Sequence, residues 1–290
     1  MMKETRLGLG AAEAKVLSDF SAKGKSVFSI SELELELGSA VKARKMASKL
    51  VTKNWLKRLK RGVYLLLELG AGSKPEWTED SYYIASKLAS PYYVGFYNMF
   101  NEYGWTEQIP FSVTVVTTRR FRPVVINGVS YKPVVLSEKK FFGTTVHMFR
   151  GREIVVSDPE KTLVDALDHP EYAGGIMEVA KAAYNLSNRA NSSGFHPFGS
   201  SYHPGGVRKV DWKKVVEYAE RMGNGAILKR LGYLVDLMEL PLADDLREAI
   251  RSKLTKGYAP LYPGTKSKGK HNSKWRLVIN AEISKDRVLA

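Results

Sequence analysis

The stretch from Ser29 to Leu67 constrains this chain most, because helix caps and glycines punctuate it at intervals that fit one arrangement of short elements. Ser29 or Ser31 supplies the N-cap of a helix running to Leu37, and Ser29-x-x-Glu32 has the form of a capping box. Leu33 and Leu37 give that helix an apolar edge, and Gly38 ends it, since glycine enters the left-handed region without steric penalty. Ser39 then caps a second helix, VKARKMASKLVTK, in which Ala43, Met46, Ala47, Leu50 and Val51 share one face. The opposite face shows Lys42, Arg44, Lys45, Ser48, Lys49 and Thr52. Upstream, a helix fits residues 10–21 with Ala14, Leu17 and Phe20 turned to a core, and Val27-Phe28 reads as a short strand. Downstream, Trp55–Leu59 and Val63–Leu67 are strand-like runs joined by a three-residue turn, Lys60-Arg61-Gly62. Helix, glycine turn, amphipathic helix and hairpin together predict a winged helix-turn-helix.

Charge agrees with that pattern. From Ser39 to Arg61 there are nine basic residues and no acidic one: Lys42, Arg44, Lys45, Lys49, Lys53, Lys57, Arg58, Lys60 and Arg61. Residues 1–67 hold fourteen basic and six acidic side chains, a balance of +8 within a total of +15. Residues 68–161 are almost neutral at +1, and residues 162–290 carry +6. A solvated surface would spread the excess more evenly, so the concentration points to a polyanion. In a duplex, the basic helix would lie in the major groove, where arginine or lysine donates to guanine O6 and N7. The wing cations would reach phosphates or the minor groove and set register. The expected contact set is Lys42, Arg44, Lys45, Ser48, Lys49, Lys53, Lys57, Arg58, Lys60 and Arg61.

The remainder predicts a second unit. Residues 68–77 (ELGAGSKPEW) are rich in turn formers and read as a linker, so the expected domains are 1–70 and 78–290. A helix at 81–89, a strand at 92–94 and a helix at 95–103 precede strands at 111–117, 124–126, 129–131, 134–136, 145–149 and 154–156. Asn127-Gly128 is a strong two-residue hairpin signal. Ser157-Asp158-Pro159-Glu160 starts a helix, and further helices follow around Ile176–Ala183, Trp212–Met222, Ile227–Met238 and Leu246–Leu254. Residues 194–206 and Lys266–Lys274 read as loops, and 275–280 as a last strand. The fold class is α+β, with a mainly antiparallel sheet and helices segregated after it.

Little in this second unit suggests chemistry. The chain has no cysteine, which removes disulfides, thiolate catalysis and cysteine-bound metal. His147, His169, His196, His203 and His271 lack metal-ligand spacing, and no nucleotide-binding or nucleophile-elbow motif is present. Asp158, Glu160, Asp165 and Asp168 cluster in sequence, and capping plus a solvated helix face accounts for them. The aromatic group Tyr92, Tyr93, Phe96, Tyr97, Phe100, Tyr103 and Trp105 reads mainly as core. No apolar run of signal-peptide length follows Lys3 and Arg6, and none approaches a membrane span. The expectation is a cytoplasmic protein that is not an enzyme, with no catalytic residues, no metal and no cofactor.

The block FSISELELELGSAVKARKMASKLVTKNWLKRLKRGVYLL resembles the winged-helix domain of the AbiEi family, the antitoxin and transcriptional-repressor half of type IV toxin–antitoxin systems. The resemblance continues through YYVGFYNMFNEYGWTEQIPFSVTVVT, SDPEKTLVDALDHPEYAGG and KRLGYLVDLM. It implies binding of double-stranded DNA at operator inverted repeats and negative autoregulation. It also implies that the C-terminal domain counters a nucleotidyltransferase-like toxin without a stable complex. Two other readings compete: a stand-alone winged-helix transcription factor whose C-terminal domain senses a ligand or dimerises, and a nucleic-acid enzyme using Asp158 and Asp165.

Overall fold

The computed structural model of the chain describes residues 6–67, 80–126, 128–188, 210–265 and 268–289. The first stretch contains α1 (Ala11–Ala22), β1 (Val27–Ser29), α2 (Ile30–Leu37), α3 (Ala40–Thr52), β2 (Leu56–Lys60) and β3 (Val63–Leu66). Ser29, not Ser31, caps α2: its Oγ accepts from the Glu32 N–H, while the Glu32 carboxylate accepts from the Ser29 N–H at 2.8 Å. Gly38 ends α2 at φ +65°, and Ser39 accepts from the Lys42 N–H to begin α3. Val16, Leu17, Phe20, Phe28, Leu33, Ala43, Ala47, Leu50, Leu56 and Leu66 form one apolar core among these elements. Ala14 is only half-buried. The inner face of α1 is Glu13, Val16, Leu17 and Phe20, so Val16 takes the place expected for Ala14.

The three strands pair antiparallel in the order β1-β3-β2. The hairpin turn is tighter than the expected three residues. Lys60 lies opposite Val63, leaving Arg61 and Gly62 as the turn, and the register shifts between Arg58 and Lys60. That irregularity falls at Leu59, which turns inward and is buried.

The second stretch begins with α4 (Ser81–Leu88), capped by Asp80, followed by β4 (Tyr92–Val94) and α5 (Tyr97–Glu102). Then come β5 (Ser112–Thr117), β6 (Val124–Ile126), β7 (Val129–Val135), β8 (Thr144–Phe149) and β9 (Arg152–Ser157). Their sheet has the order β6-β7-β5-β4-β9-β8. Three of its pairings are antiparallel; β5·β7 and β4·β9 are parallel. The parallel pairs arise because each edge is a hairpin hung outward. β6 takes the rim beside β7, so β7 must run with β5. The two runs expected at 129–131 and 134–136 form one strand, β7, and Asn127 of the expected hairpin turn lies outside the described residues.

Alternation along the strands divides the apolar side chains between two faces. Tyr93, Val116 and Val134 meet α6 (Pro159–Asp168), α7 (Ile176–Asn188), α8 (Trp212–Arg221) and α9 (Gly225–Leu237). Val94, Val113, Val115, Tyr131, Ile154 and Val156 face the other way, onto α4 and onto Val27, Leu59, Leu65 and Leu67 of the first unit. One apolar cluster therefore joins the hairpin to the six-stranded sheet. Polar ties reinforce it: Arg152 donates to the Gly24 carbonyl at 2.7 Å and to Ser26 Oγ, and its guanidinium lies 4.1 Å from the Tyr83 ring.

After α10 (Asp244–Ser252), a small sheet of β10 (Ala259–Pro260), β12 (Leu277–Ile279) and β11 (Lys270–Asn272) closes over α9. The expected basic loop at 266–274 is thus partly strand, since 270–272 pairs with β12; Lys266 and Ser267 lie outside the described residues. The expected last strand is shorter than 275–280 because Trp275 turns in to pack on Gly232 and donates to Asp236 at 2.6 Å. A final short helix, α11, spans Lys285–Leu289. The expected linker at 68–77 and loop at 194–206 fall outside the described residues. Among the described residues no helix is long and apolar enough to cross a membrane.

Candidate nucleic-acid interface

The basic face of α3 follows from its periodicity. Ala43, Ala47 and Leu50 are fully buried against α1 and α2, which leaves Lys42, Arg44, Lys45, Ser48 and Lys49 exposed on the other side. Among the described residues the side chains of Lys42, Arg44 and Lys45 have no ion-pair partner, so three cations within about one turn face solvent uncompensated. Val41, which sequence reasoning passed over, stands 59 % exposed in the first turn of the same helix. Its apolar side chain suits contact with a thymine methyl group in a major groove.

The last turn of α3 behaves differently. Lys49 approaches Glu13 at 2.8 Å, and Lys53 binds both Glu13, at 2.6 Å, and the Gly8 carbonyl, at 2.9 Å. These two ammonium groups, with the Gly10 N–H, hold the Glu13 carboxyl down at about 2, well under the ordinary carboxylate range. Lys53 therefore ties α3 to α1 with 18% of its side chain exposed, whereas the sequence places it among the expected contact residues. Lys49 remains 63 % exposed and keeps part of its charge toward solvent.

On the wing, Lys57, Arg58 and Arg61 are exposed. Lys60 is not with them. Its ammonium donates to the Leu88 carbonyl at the end of α4 at 2.6 Å, and burial lowers its pKa. The register shift at Leu59 is the physical reason, because it turns Lys60 from the outer side of the hairpin toward the second unit. Eight of the ten expected contact residues thus lie outward on α3 and the hairpin, and Lys53 and Lys60 serve packing.

The acidic cluster on α6 is the other arrangement of functional interest, and here the expected solvated face is wrong. Asp158, Glu160, Asp165 and Asp168 are all buried. Asp158 does cap α6, accepting from the Lys161 N–H at 2.7 Å. Lys214 of α8 bridges Asp158 and Glu160 at 2.9 and 3.0 Å, which raises its own pKa despite burial. Asp168 takes Lys140 at 2.7 Å and the Asn224 amide at 2.6 Å; burial alone would raise its pKa, but those partners hold it low. Asp165 is wholly enclosed with Lys161, its ion-pair partner, and accepts from the Tyr93 hydroxyl at 2.7 Å. Burial outweighs both partners and pushes the Asp165 carboxyl up. Each carboxylate has a cation or donor of its own, and no described group of acids and histidines is disposed to hold a metal. This is the geometry of a structural ionic network, with Asp165 sealed from any substrate.

Residues 15–67 match the family model described as "Transcriptional regulator, AbiEi antitoxin". The crystal structure of the RV2827C protein from Mycobacterium tuberculosis superposes on the chain with a TM-score of 0.61. That likeness covers 99% of this chain and 96% of that one at 13% identity, and it shows a shared fold. No curated protein matches the chain.

Proposed function

We propose, with the family match over residues 15–67 as the premise, that the chain is a transcriptional regulator that binds double-stranded DNA through α3 and the hairpin and acts as an antitoxin. The observation that carries the reading is the outward face of α3, where Lys42, Arg44 and Lys45 stand without carboxylate partners among the described residues. In this reading α3 enters the major groove, Arg44 or Lys45 reads a base, and Lys42, Ser48 and Lys49 grip the flanking backbone. Lys57, Arg58 and Arg61 reach phosphates beside the groove and fix register. The division into a DNA-binding domain, 1–70, and an effector domain, 78–290, belongs to the same proposal. So do operator inverted repeats, autorepression, a cytoplasmic location and a nucleotidyltransferase-like toxin countered without a stable complex.

Six cations (Lys42, Lys49, Lys57, Arg58, Arg61 and whichever of Arg44 and Lys45 does not read a base) give a measurable expectation. Affinity for duplex DNA should fall with log salt at a slope of about −5, at about −0.9 per phosphate neutralised. Arg44→Ala or Lys45→Ala should weaken the specific site by about 1–3 kcal/mol if that residue reads a base, and leave random DNA less affected. A salt-independent affinity, or wild-type binding by the Arg44→Ala/Lys45→Ala double variant, overturns the reading. The antitoxin half is tested by co-expression with the gene beside its own. Relief of that gene's toxicity supports the assignment, and no relief leaves a stand-alone transcription factor.

A further inference from the structure

The segment between β5 and β6 reads Thr118-Arg119-Arg120-Phe121-Arg122-Pro123. It places three arginines in four residues within a part of the chain whose overall charge is almost neutral. Arg119, Arg120 and Arg122 are exposed, and among the described residues none has an ion-pair partner. Phe121 between them is half-buried against the apolar cluster that includes Leu59, Leu65 and Leu88. The loop is thus pinned by its aromatic ring while its charges are held outward.

Its position follows from a chain of contacts. Lys60, next to the hairpin turn, bonds the Leu88 carbonyl. Three residues later the Pro91 carbonyl accepts from Thr117 Oγ1 at 2.7 Å, and Thr117 Oγ1 accepts from the Arg119 N–H at 3.2 Å. Three residues of extended chain span at most about 11 Å, and the extended Lys60 side chain with the two hydrogen bonds adds about as much again, so the loop starts within roughly 20 Å of the hairpin turn. Lys87, exposed in the last turn of α4, directly precedes Leu88, whose carbonyl Lys60 bonds. Nearby, Leu136 bonds the Thr117 carbonyl; Glu138 follows it, and exposed Lys139 offsets that charge. Arg58 and Arg61 of the hairpin, Lys87, and the three loop arginines are all exposed, and the hydrogen bonds through Lys60, Leu88, Pro91 and Thr117 link the elements that carry them.

We infer that the duplex-binding surface continues past the hairpin onto the β5–β6 loop, where Arg119, Arg120 and Arg122 hold the DNA backbone. This deepens the DNA-binding reading above and rests on it. A duplex presents about one phosphate charge per 1.7 Å of its axis, so DNA seated at the hairpin offers backbone to cations on the order of 10–20 Å further along. Unpaired arginines suit this task because their planar donors take phosphate oxygens two at a time. Such contacts carry no sequence information and extend the footprint on one side.

The test uses the full chain and two duplexes, one from immediately upstream of its own coding sequence and one of random sequence. Binding is measured against salt for wild type, R119A/R120A/R122A, R119K/R120K/R122K and R44A/K45A, with thermal melting confirming that each variant is folded. The triple alanine variant should lower the salt slope by about 0.9 for each arginine that touches phosphate, equally on both duplexes. It should also shorten a hydroxyl-radical footprint at one end, and the triple lysine variant should restore most of the slope. An unchanged slope and footprint in the triple alanine variant, with binding lost in R44A/K45A, overturns this inference and leaves the α3 interface standing. Binding by R44A/K45A equal to wild type, or no binding by wild type, overturns the DNA-binding reading and this inference with it.

Discussion

Lys161 has no exposed surface, and its ammonium is shared between Asp165 and the Tyr93 hydroxyl. Removing one member of such a pair strands the other charge in a medium that solvates it poorly. Lys161→Met should therefore destabilise the chain by about 3–5 kcal/mol in urea titration, whereas Lys161→Met with Asp165→Leu should recover most of that loss. A loss in the double variant equal to the sum of the losses in Lys161→Met and Asp165→Leu alone would refute the pairing. Glu13 makes a pH-dependent counterpart in the first unit. Its carboxyl sits at about 2 in the folded chain against 4.5 as the ordinary value, so the unfolded state binds more protons between those values. The stability Glu13 contributes is complete above 4.5 and is lost as pH falls toward about 2. The stability gap between wild type and Glu13→Gln should hence narrow steadily below about pH 4.5. The four-residue spacing of Lys161 and Asp165 is visible in the sequence, but its burial is not, and Glu13 lies far from Lys49 and Lys53. Lys140, Lys214, Asn224 and Tyr93 lie tens of residues from the acids they serve, so α6 resembles a solvated helix until the chain is folded.

At the scale of elements, legibility depended on how local the cause is. The caps at Ser29 and Ser39 and the stop at Gly38 act within four residues, and the structure has them where the sequence puts them. The β8–β9 turn was missed because Arg150-Gly151 adopts φ of +47° and +76° without the asparagine or aspartate that usually announces such a turn. The register shift at Leu59, and with it the inward turn of Lys60, depends on a second unit that the local pattern does not contain. Two glycines give element-scale tests. Gly62 sits at φ +74° beside Ile30, so Gly62→Val should disorder the hairpin and abolish DNA binding while α3 stays folded, as followed by amide exchange. Gly232 lets Trp275 rest on α9; a Cβ there would lie 2.2 Å from the indole ring. Gly232→Ala should cost about 1–3 kcal/mol, as overpacking does, and quench or shift Trp275 fluorescence. A melting temperature equal to wild type would contradict that packing.

At the scale of the whole molecule, the α+β class and the mainly antiparallel sheet are legible in the sequence, but not which strands run parallel or that one face of the sheet is shared. Outward-hung hairpins decide strand direction through non-local pairing, and no periodicity reports which face a distant hairpin will cover. Because Val27, Leu59, Leu65 and Leu67 pack onto the second unit, an excised fragment of residues 1–70 should melt lower than the same elements in the full chain. A fragment as stable as the parent would show that the seam contributes nothing. The seam also bears on exchanging parts among relatives. Swapping α2 and α3 alone keeps Leu59, Leu65 and Arg152 matched to their hosts; replacing everything up to residue 67 does not. Recombination that respects this boundary can alter the exposed basic face of α3 without loosening the body that carries it.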